Sequence, residues 1–393
     1  MAQDDRGILD VPRLDGLSGM GGRSARGVNR WDSGNTRPSG TWYLSTVMII
    51  SRPSTRGYAA AKSQHMEPTN RRRMNATAPI TYALALAVLT LTAGTVSAQS
   101  YVNQEEIETV VTQNRVQDIG ELPDVFYNYF VLDDGRGNSV LARNSFYKII
   151  GRGDTHLGRD RSKLVELLNR RLLENVEIGD TLVIPEKFDL DFRAYAPFPR
   201  YYPGARDFEK LFIIQKTVQA WAAYEYGRLE RWGIVNTGSE ESPTPTGRYN
   251  FNWKTEYRVS SLSPPGERWE MYWVYNFHND RGIHIHQYPM PTGGPTSHGC
   301  VRLVDTDAKW IYEWAEPWTV ANGRVDFGSI GSRVIEPGTI VLVIGEDPVG
   351  DPFPFNFNSR YPVLNLVELP EHPYDVPPGT DQQEHFDRLR ASR

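Results

Sequence analysis

Between residues 208 and 344 the chain is cut into short β-branched and aromatic runs separated by turn formers. No other feature constrains its fold as strongly. The runs fall at 212–216, 218–224, 229–236, 248–253, 257–261, 271–277, 282–287 and 339–344. Short strands at such close spacing predict a mainly β domain, an antiparallel sandwich or open barrel. One helix interrupts them. Ala308, Ile311, Tyr312 and Ala315 form an apolar stripe at helical spacing, with Asp305 or Thr306 as its cap.

Upstream, residues 99–206 read as a small α/β domain. Leu164, Val165, Leu168 and Leu172 share a face of a helix expected over 163–173, and Gly179-Asp180 turns the chain into a short strand at 181–184 stopped by Pro185. The stretch 168–185 resembles the second half of a lysin motif, a small glycan-binding module; a plain packing unit is the alternative reading. A Pro/aromatic linker at 195–204 leads into a domain at 207–346. Residues 347–393 form a tail rich in Pro, Asp and Glu, with little periodicity, expected to wrap the surface or to be partly mobile.

The chain has 393 residues, including 10 Trp, 20 Tyr and 15 Phe, too much burial potential for a disordered chain. Its charge is divided. Residues 1–98 carry 12 basic and 6 acidic residues, whereas the remainder carries a net charge of −11, which argues against nucleic acid as a partner. Arg71, Arg72 and Arg73, an uncharged Ala/Leu-rich stretch at 80–93, and small residues Val96 and Ala98 before Gln99 make a secretory signal peptide at 74–98. The apolar run is too short and too interrupted by threonine to serve as a membrane anchor. Residues 1–73 are then expected to be disordered or to precede the true start, at Met66 or Met74. The location expected is the periplasm or cell envelope.

Export sharpens the question posed by a single cysteine. Outside the reducing cytosol a lone thiol is either buried and inert or used. Cys300 lies in Thr296-Ser297-His298-Gly299-Cys300-Val301-Arg302, a polar, turn-forming setting, with His284 and His286 just upstream. Acyl transfer by a thiol needs a nucleophile, a base, main-chain N–H groups for the oxyanion and a holder for the substrate. Histidine suits the base, Gly299 permits a turn that aims the N–H groups of Gly299 and Cys300 together, and Arg302 offers a fork for a carboxylate.

These residues resemble the L,D-transpeptidase catalytic-domain family of bacterial cell-wall enzymes. The order of Gly282-Ile283-His284-Ile285-His286-Gln287-Tyr288 followed by Ser297 to Arg302 matches that family's strand histidine and Ser-His-Gly-Cys-x-Arg signature. Thr244-Pro245-Thr246-Gly247 and Asn236-Thr237-Gly238 resemble two further family motifs upstream. The resemblance implies Cys300 as nucleophile and a histidine of the upstream strand as base; His284 and His286 both fit the spacing, and His286 is the better placed, where the strand gives way to the loop, oriented by the main-chain carbonyl of Gln287. It leaves His284 to fill space beside them, and Ser297 and His298 to shape the turn and line the site. It also implies attack on the third residue of a peptidoglycan tetrapeptide stem with loss of D-alanine. A stem amine, water or a wall-anchored protein's amine would then accept the acyl group, with no metal or organic cofactor.

Two rival readings use the same residues. His284, His286, His298 and Cys300 supply four N/S ligands, a reasonable tetrahedral zinc set. A non-catalytic peptidoglycan-binding protein, with an unreactive Cys300, is the other. Oligomeric state is not legible in the sequence.

Overall fold

The computed structural model describes residues 104–289, 294–356 and 360–391. The expected signal peptide at 74–98 and the segment 1–73 lie outside the described residues, as does part of the loop before Ser297. All described residues lie within one compact unit, Ala83–Arg393. Among them no helix is long and apolar enough to cross a membrane.

The chain opens with α1 (Gln104–Val111), then β1 (Tyr127–Val131), α2 (Ser139–Ile150), α3 (Thr155–Asn169) and β2 (Thr181–Pro185). β1 and β2 pair antiparallel, Tyr127 opposite Pro185 and Val131 opposite Thr181, so the unit is strand–helix–helix–strand. Asn138 caps α2 through the N–H groups of Val140 and Leu141, and Asp154 caps α3 likewise. Ala142, Phe146 and Ile150 of α2 and Val165 of α3 close a core with Leu132 and Leu182. The helices meet at Gly158, where a Cβ would lie 1.9 Å from the Tyr147 carbonyl oxygen. The helix expected at 163–173 thus begins earlier and stops at Asn169, with Arg170 left-handed beyond it.

The β domain contains β3 (Lys210–Gln215), β4 (Ala220–Glu225), β5 (Arg228–Ile234), β6 (Gly247–Asn250), β7 (Lys254–Val259), β8 (Glu270–His278), β9 (Ile283–Gln287) and β10 (Val301–Leu303). α4 (Asp305–Trp314), β11 (Thr319–Val320), β12 (Val334–Glu336) and β13 (Ile340–Ile344) complete it. Two main sheets form, in orders β5-β4-β3-β13-β6 and β10-β9-β8-β7, and β11 and β12 pair in a separate two-stranded sheet. The pairings are antiparallel except β13–β3 and β10–β9, which are parallel. This is the mainly β sandwich expected, with two parallel joints that strand spacing does not reveal.

The five-stranded sheet is buried on both faces, which is why β3 and β13 read as unbroken apolar runs. Phe212, Ile214, Val341 and Val343 face Tyr275, Phe277, Ile283 and Ile285 of the other sheet. Leu211, Ile213, Ile340 and Leu342 face the N-terminal unit. That second core also contains Tyr195, Phe198, Tyr202 and Ala205, so the stretch 195–204 is a buried seam rather than an open linker. α4 has no side-chain cap: Val304 occupies the N-cap position, and Asp305 lies in the first turn, accepting from Trp273 Nε1 at 2.9 Å.

Beyond β13 come β14 (Phe355–Asn356), β15 (Val363–Leu364) and α5 (Asp381–Ala391). The C-terminal region is therefore more than a surface wrap. Phe386 of α5 is 1% exposed and packs with Trp253, Met271, Val274, Trp318 and Val320. Arg248 of β6 forms a two-pronged ion pair with Asp387 at 2.7 and 2.8 Å.

Candidate active site

Three separated stretches of sequence meet at the Cys300 turn. Asn236, just after β5, exchanges main-chain hydrogen bonds with Arg302 at 3.1 and 2.9 Å. The next carbonyl, Thr237, accepts from the N–H groups of Thr296 and Ser297, both at 3.0 Å. The buried Thr244 hydroxyl accepts from the Gly238 N–H at 2.9 Å and donates to the Gly299 carbonyl at 2.8 Å. A Cβ on Gly238 would fall 2.1 Å from the Ser242 carbonyl oxygen and 2.9 Å from Gly299 Cα, so this contact requires glycine.

Within the turn, Ser297 Oγ accepts from the Gly299 N–H at 3.1 Å and donates to the Cys300 carbonyl. Gly299 has φ +105°, left-handed backbone that brings the chain round to β10. The Gly299 N–H, expected to face an oxyanion, thus already has a partner inside the turn. Ser297 shapes the loop directly.

Strand alternation decides which side chains reach the site. On β9, Ile283 and Ile285 enter the sandwich core, which sends His284 and His286 to the other face. β10 runs parallel beside it, with Arg302 in register with His286, while Val301 and Leu303 point into the core.

The two histidines have different hydrogen-bond partners. His286 Nδ1 lies 2.8 Å from the Gln287 carbonyl oxygen, which can only accept; Nδ1 therefore carries the proton and Nε2 is left as the acceptor. Burial pulls the His286 imidazole down to about 4, against the Gln287 hydrogen bond, and Arg302 lowers it further. His284 is opposite: its Nδ1 accepts from Asn276 Nδ2 at 3.1 Å, which places its proton on Nε2. Burial, His286 and Arg258 bring it down to about 3.

Burial also pushes the Cys300 thiol up, opposed by the His284 main-chain N–H, Arg302 and Arg258. The sulfur lies 3.9 Å from the Gly282 carbonyl oxygen. Both shifts favour the uncharged forms, a thiol and a neutral imidazole.

Cys300, His286, His298, Arg302, Trp269 and Tyr288 line one narrow cleft of about 40 Å³. His298 is exposed, its ring 5.2 Å from that of Trp269. The Arg302 guanidinium sits 4.8 Å over the Tyr288 ring, and that of half-buried Arg258 lies 4.2 Å over Phe327. Trp269, Tyr288 and Arg258 were not singled out in the sequence. Tyr288 adjoins Gln287 and could have been; Trp269 and Arg258 arrive through the β7–β8 hairpin, whose folding over the site no local pattern announces. A larger cavity of about 840 Å³ lies elsewhere, between the N-terminal unit and residues 361–366, and holds neither Cys300 nor a histidine. Among the described residues no group of three or more His, Cys, Asp or Glu could hold a metal ion, so the four proposed zinc ligands do not converge.

The fold and this site define a class: a β sandwich presenting a cysteine on a Ser-His-Gly-Cys turn beside a buried imidazole. Residues 209–343, about a third of the chain, match the family model YkuD, the L,D-transpeptidase catalytic domain, and this segment belongs to that family. Compared with curated proteins, the sequence finds no match. Among solved structures it is similar to an L,D-transpeptidase from Mycobacterium smegmatis, at 17% identity over 35% of this chain and 59% of that one, TM-score 0.27. It is also similar to an L,D-transpeptidase (Yku) from Stackebrandtia nassauensis, at 24% identity over 36% of this chain and 57% of that one, TM-score 0.27. The chain thus spans under two thirds of the length of either structure.

Proposed function

We propose that this protein is an exported L,D-transpeptidase acting on peptidoglycan tetrapeptide stems. One observation carries the reading: an imidazole with Nδ1 committed to Gln287 shares a cleft with the chain's one cysteine. His286 Nε2 takes the Cys300 proton as the sulfur attacks the carbonyl of the third stem residue, forming the S–C bond. The C–N bond to D-alanine then breaks, and the imidazolium returns its proton to the departing amine. An incoming amine loses its proton to His286, attacks the thioester and frees the sulfur.

Arg302 is suited to hold a substrate carboxylate. A stem amine as acceptor gives a 3→3 cross-link, water gives a tripeptide, and a protein amine anchors that protein to the wall. The connection between β7 and β8 lines this narrow cleft through Ser260, Leu262 and Trp269, where it would face an entering stem peptide. The signal-like segment at 74–98 supports action in the periplasm or cell envelope. The strand–helix–helix–strand order of β1, α2, α3 and β2 supports reading that unit as lysin-motif-like and glycan-binding.

Incubating the full chain with defined tetrapeptide muropeptides and separating the products tests this. A 3→3 dimer or a tripeptide, absent with Cys300→Ala, is expected; unchanged muropeptide with folded protein contradicts the proposal.

A further inference from the structure

Six side chains, joined by five hydrogen bonds, form a continuous relay that starts at Trp253, passes through the C-terminal helix and ends on His284. Trp253 Nε1 donates to Asn279 Oδ1 at 3.0 Å, and Asn279 Nδ2 donates to Gln382 Oε1 at 2.6 Å. Gln382 Nε2 donates to Asn252 Oδ1 at 2.7 Å, Asn252 Nδ2 to Asn276 Oδ1 at 2.8 Å, and Asn276 Nδ2 to His284 Nδ1 at 3.1 Å. Gln382 is the member contributed by α5, which lies outside the stretch matched by the family.

The direction of the relay is fixed at both ends. An indole N–H can only donate, which makes Asn279 Oδ1 the acceptor and sets each amide after it. At the far end Asn276 Nδ2 also faces the carbonyls of Ile283 at 3.1 Å and His278 at 3.3 Å, which can only accept. No amide in the chain can flip without setting donor against donor or acceptor against acceptor. With a donor nitrogen opposite it, His284 Nδ1 is placed as an acceptor that shares the two Asn276 Nδ2 hydrogens with those carbonyls, which puts its own proton on Nε2. The Trp253 ring closes the circuit, edge-on to the imidazole at 5.1 Å between centroids.

The relay holds the start of β9, where that strand and the residue before it face the sulfur. The Gly282 carbonyl and the His284 main-chain N–H both face Cys300, the first as acceptor for the thiol and the second as donor to the thiolate.

We propose that α5 is a positioning element of the active site: through Gln382, Asn252 and Asn276 it fixes His284 as a neutral Nε2–H ring and so holds β9 against Cys300. The proposal rests on Cys300 being the nucleophile. With Nδ1 occupied and Nε2 protonated, His284 cannot compete with His286 for the cysteine proton. The charged or titratable groups facing His284 are His286 on its own strand, Arg258 from β7 and Cys300 from the turn.

Two measurements test it. On the wild-type chain, nitrogen NMR of the histidines reports tautomers; an Nε2–H His284 is expected, and an Nδ1–H His284 overturns the relay without any variant. On Gln382→Met and Gln382→Glu, the rate of Cys300 alkylation by iodoacetamide is followed against pH, beside thermal unfolding and turnover of muropeptide. Met keeps the volume and removes both bonds; Glu keeps an acceptor for Asn279 and loses the donor to Asn252.

In variants that melt like wild type, alkylation at neutral pH is expected to slow about two- to tenfold, the worth of one net hydrogen bond. kcat should fall with it and KM should not change. Alkylation profiles identical to wild type would reduce α5 to packing. Altered alkylation in a protein whose wild type turns over no muropeptide would leave the relay standing and remove the transpeptidase reading instead.

Discussion

His284 and His286 sit two residues apart on one strand face, yet a carbonyl beside one and an amide beside the other give them opposite tautomers. Their burial also ties stability to pH. Both are held below the usual 6.5, to about 3 and about 4, so the folded protein refuses protons that the unfolded chain accepts. Their contribution is whole above about pH 6.5 and is lost as pH falls toward 4. Between pH 7 and pH 5 each should cost roughly 2 kcal/mol of unfolding free energy. Urea unfolding at the two pH values checks this: His286→Gln should lose its share of the decline, and an unchanged decline would show that the imidazole is charged in the fold. At this scale the sequence was informative. A lone cysteine beside a glycine, in a chain that reads as exported, pointed to Cys300, and period-2 alternation placed both histidines on one face. The His284 tautomer was not legible, because it depends on Asn276, which belongs to another strand.

At the scale of elements, the strands of the sandwich were readable because each alternates or runs apolar over four or more residues between turn formers. β10, β11 and β12 were not: each has only two or three residues, and the parallel register of β10 with β9 is a long-range property. The first half of the N-terminal unit also escaped notice, although Asn138 ahead of Ala142, Phe146 and Ile150 carries both a cap and an apolar spacing. α5 was hidden for a different reason. Its sequence is polar on nearly every side, and its buried Gln383 is satisfied by Asn250 at 2.8 Å rather than by apolar contact. Periodicity reports burial in hydrocarbon and is blind to burial through hydrogen bonds. The helix should nonetheless contribute as a core element does. Phe386→Ala should cost about 3–5 kcal/mol in chemical unfolding, as expected for a fully buried ring; a cost below about 1 kcal/mol would mean that α5 lies loosely on the surface.

Across the whole molecule, one core joins the N-terminal helices, the sandwich and the C-terminal segment. Ile107, Leu211, Val367 and Val376 share it, so the boundaries drawn from composition mark changes of texture inside a single packed body. The active-site turn draws its support from just as wide a span, from Asn236 and Thr244 ahead of it to, under the relay proposed above, Gln382 behind it. The most direct test of the central claim is to mix the protein with a tetrapeptide muropeptide, quench in acid within a single turnover, and map the digested chain by mass spectrometry. The account predicts one equivalent of released D-alanine and a stem-tripeptide thioester on the peptide containing Cys300, lost in Cys300→Ala. D-Alanine release that survives that substitution, or an acyl group on any other residue, would contradict it.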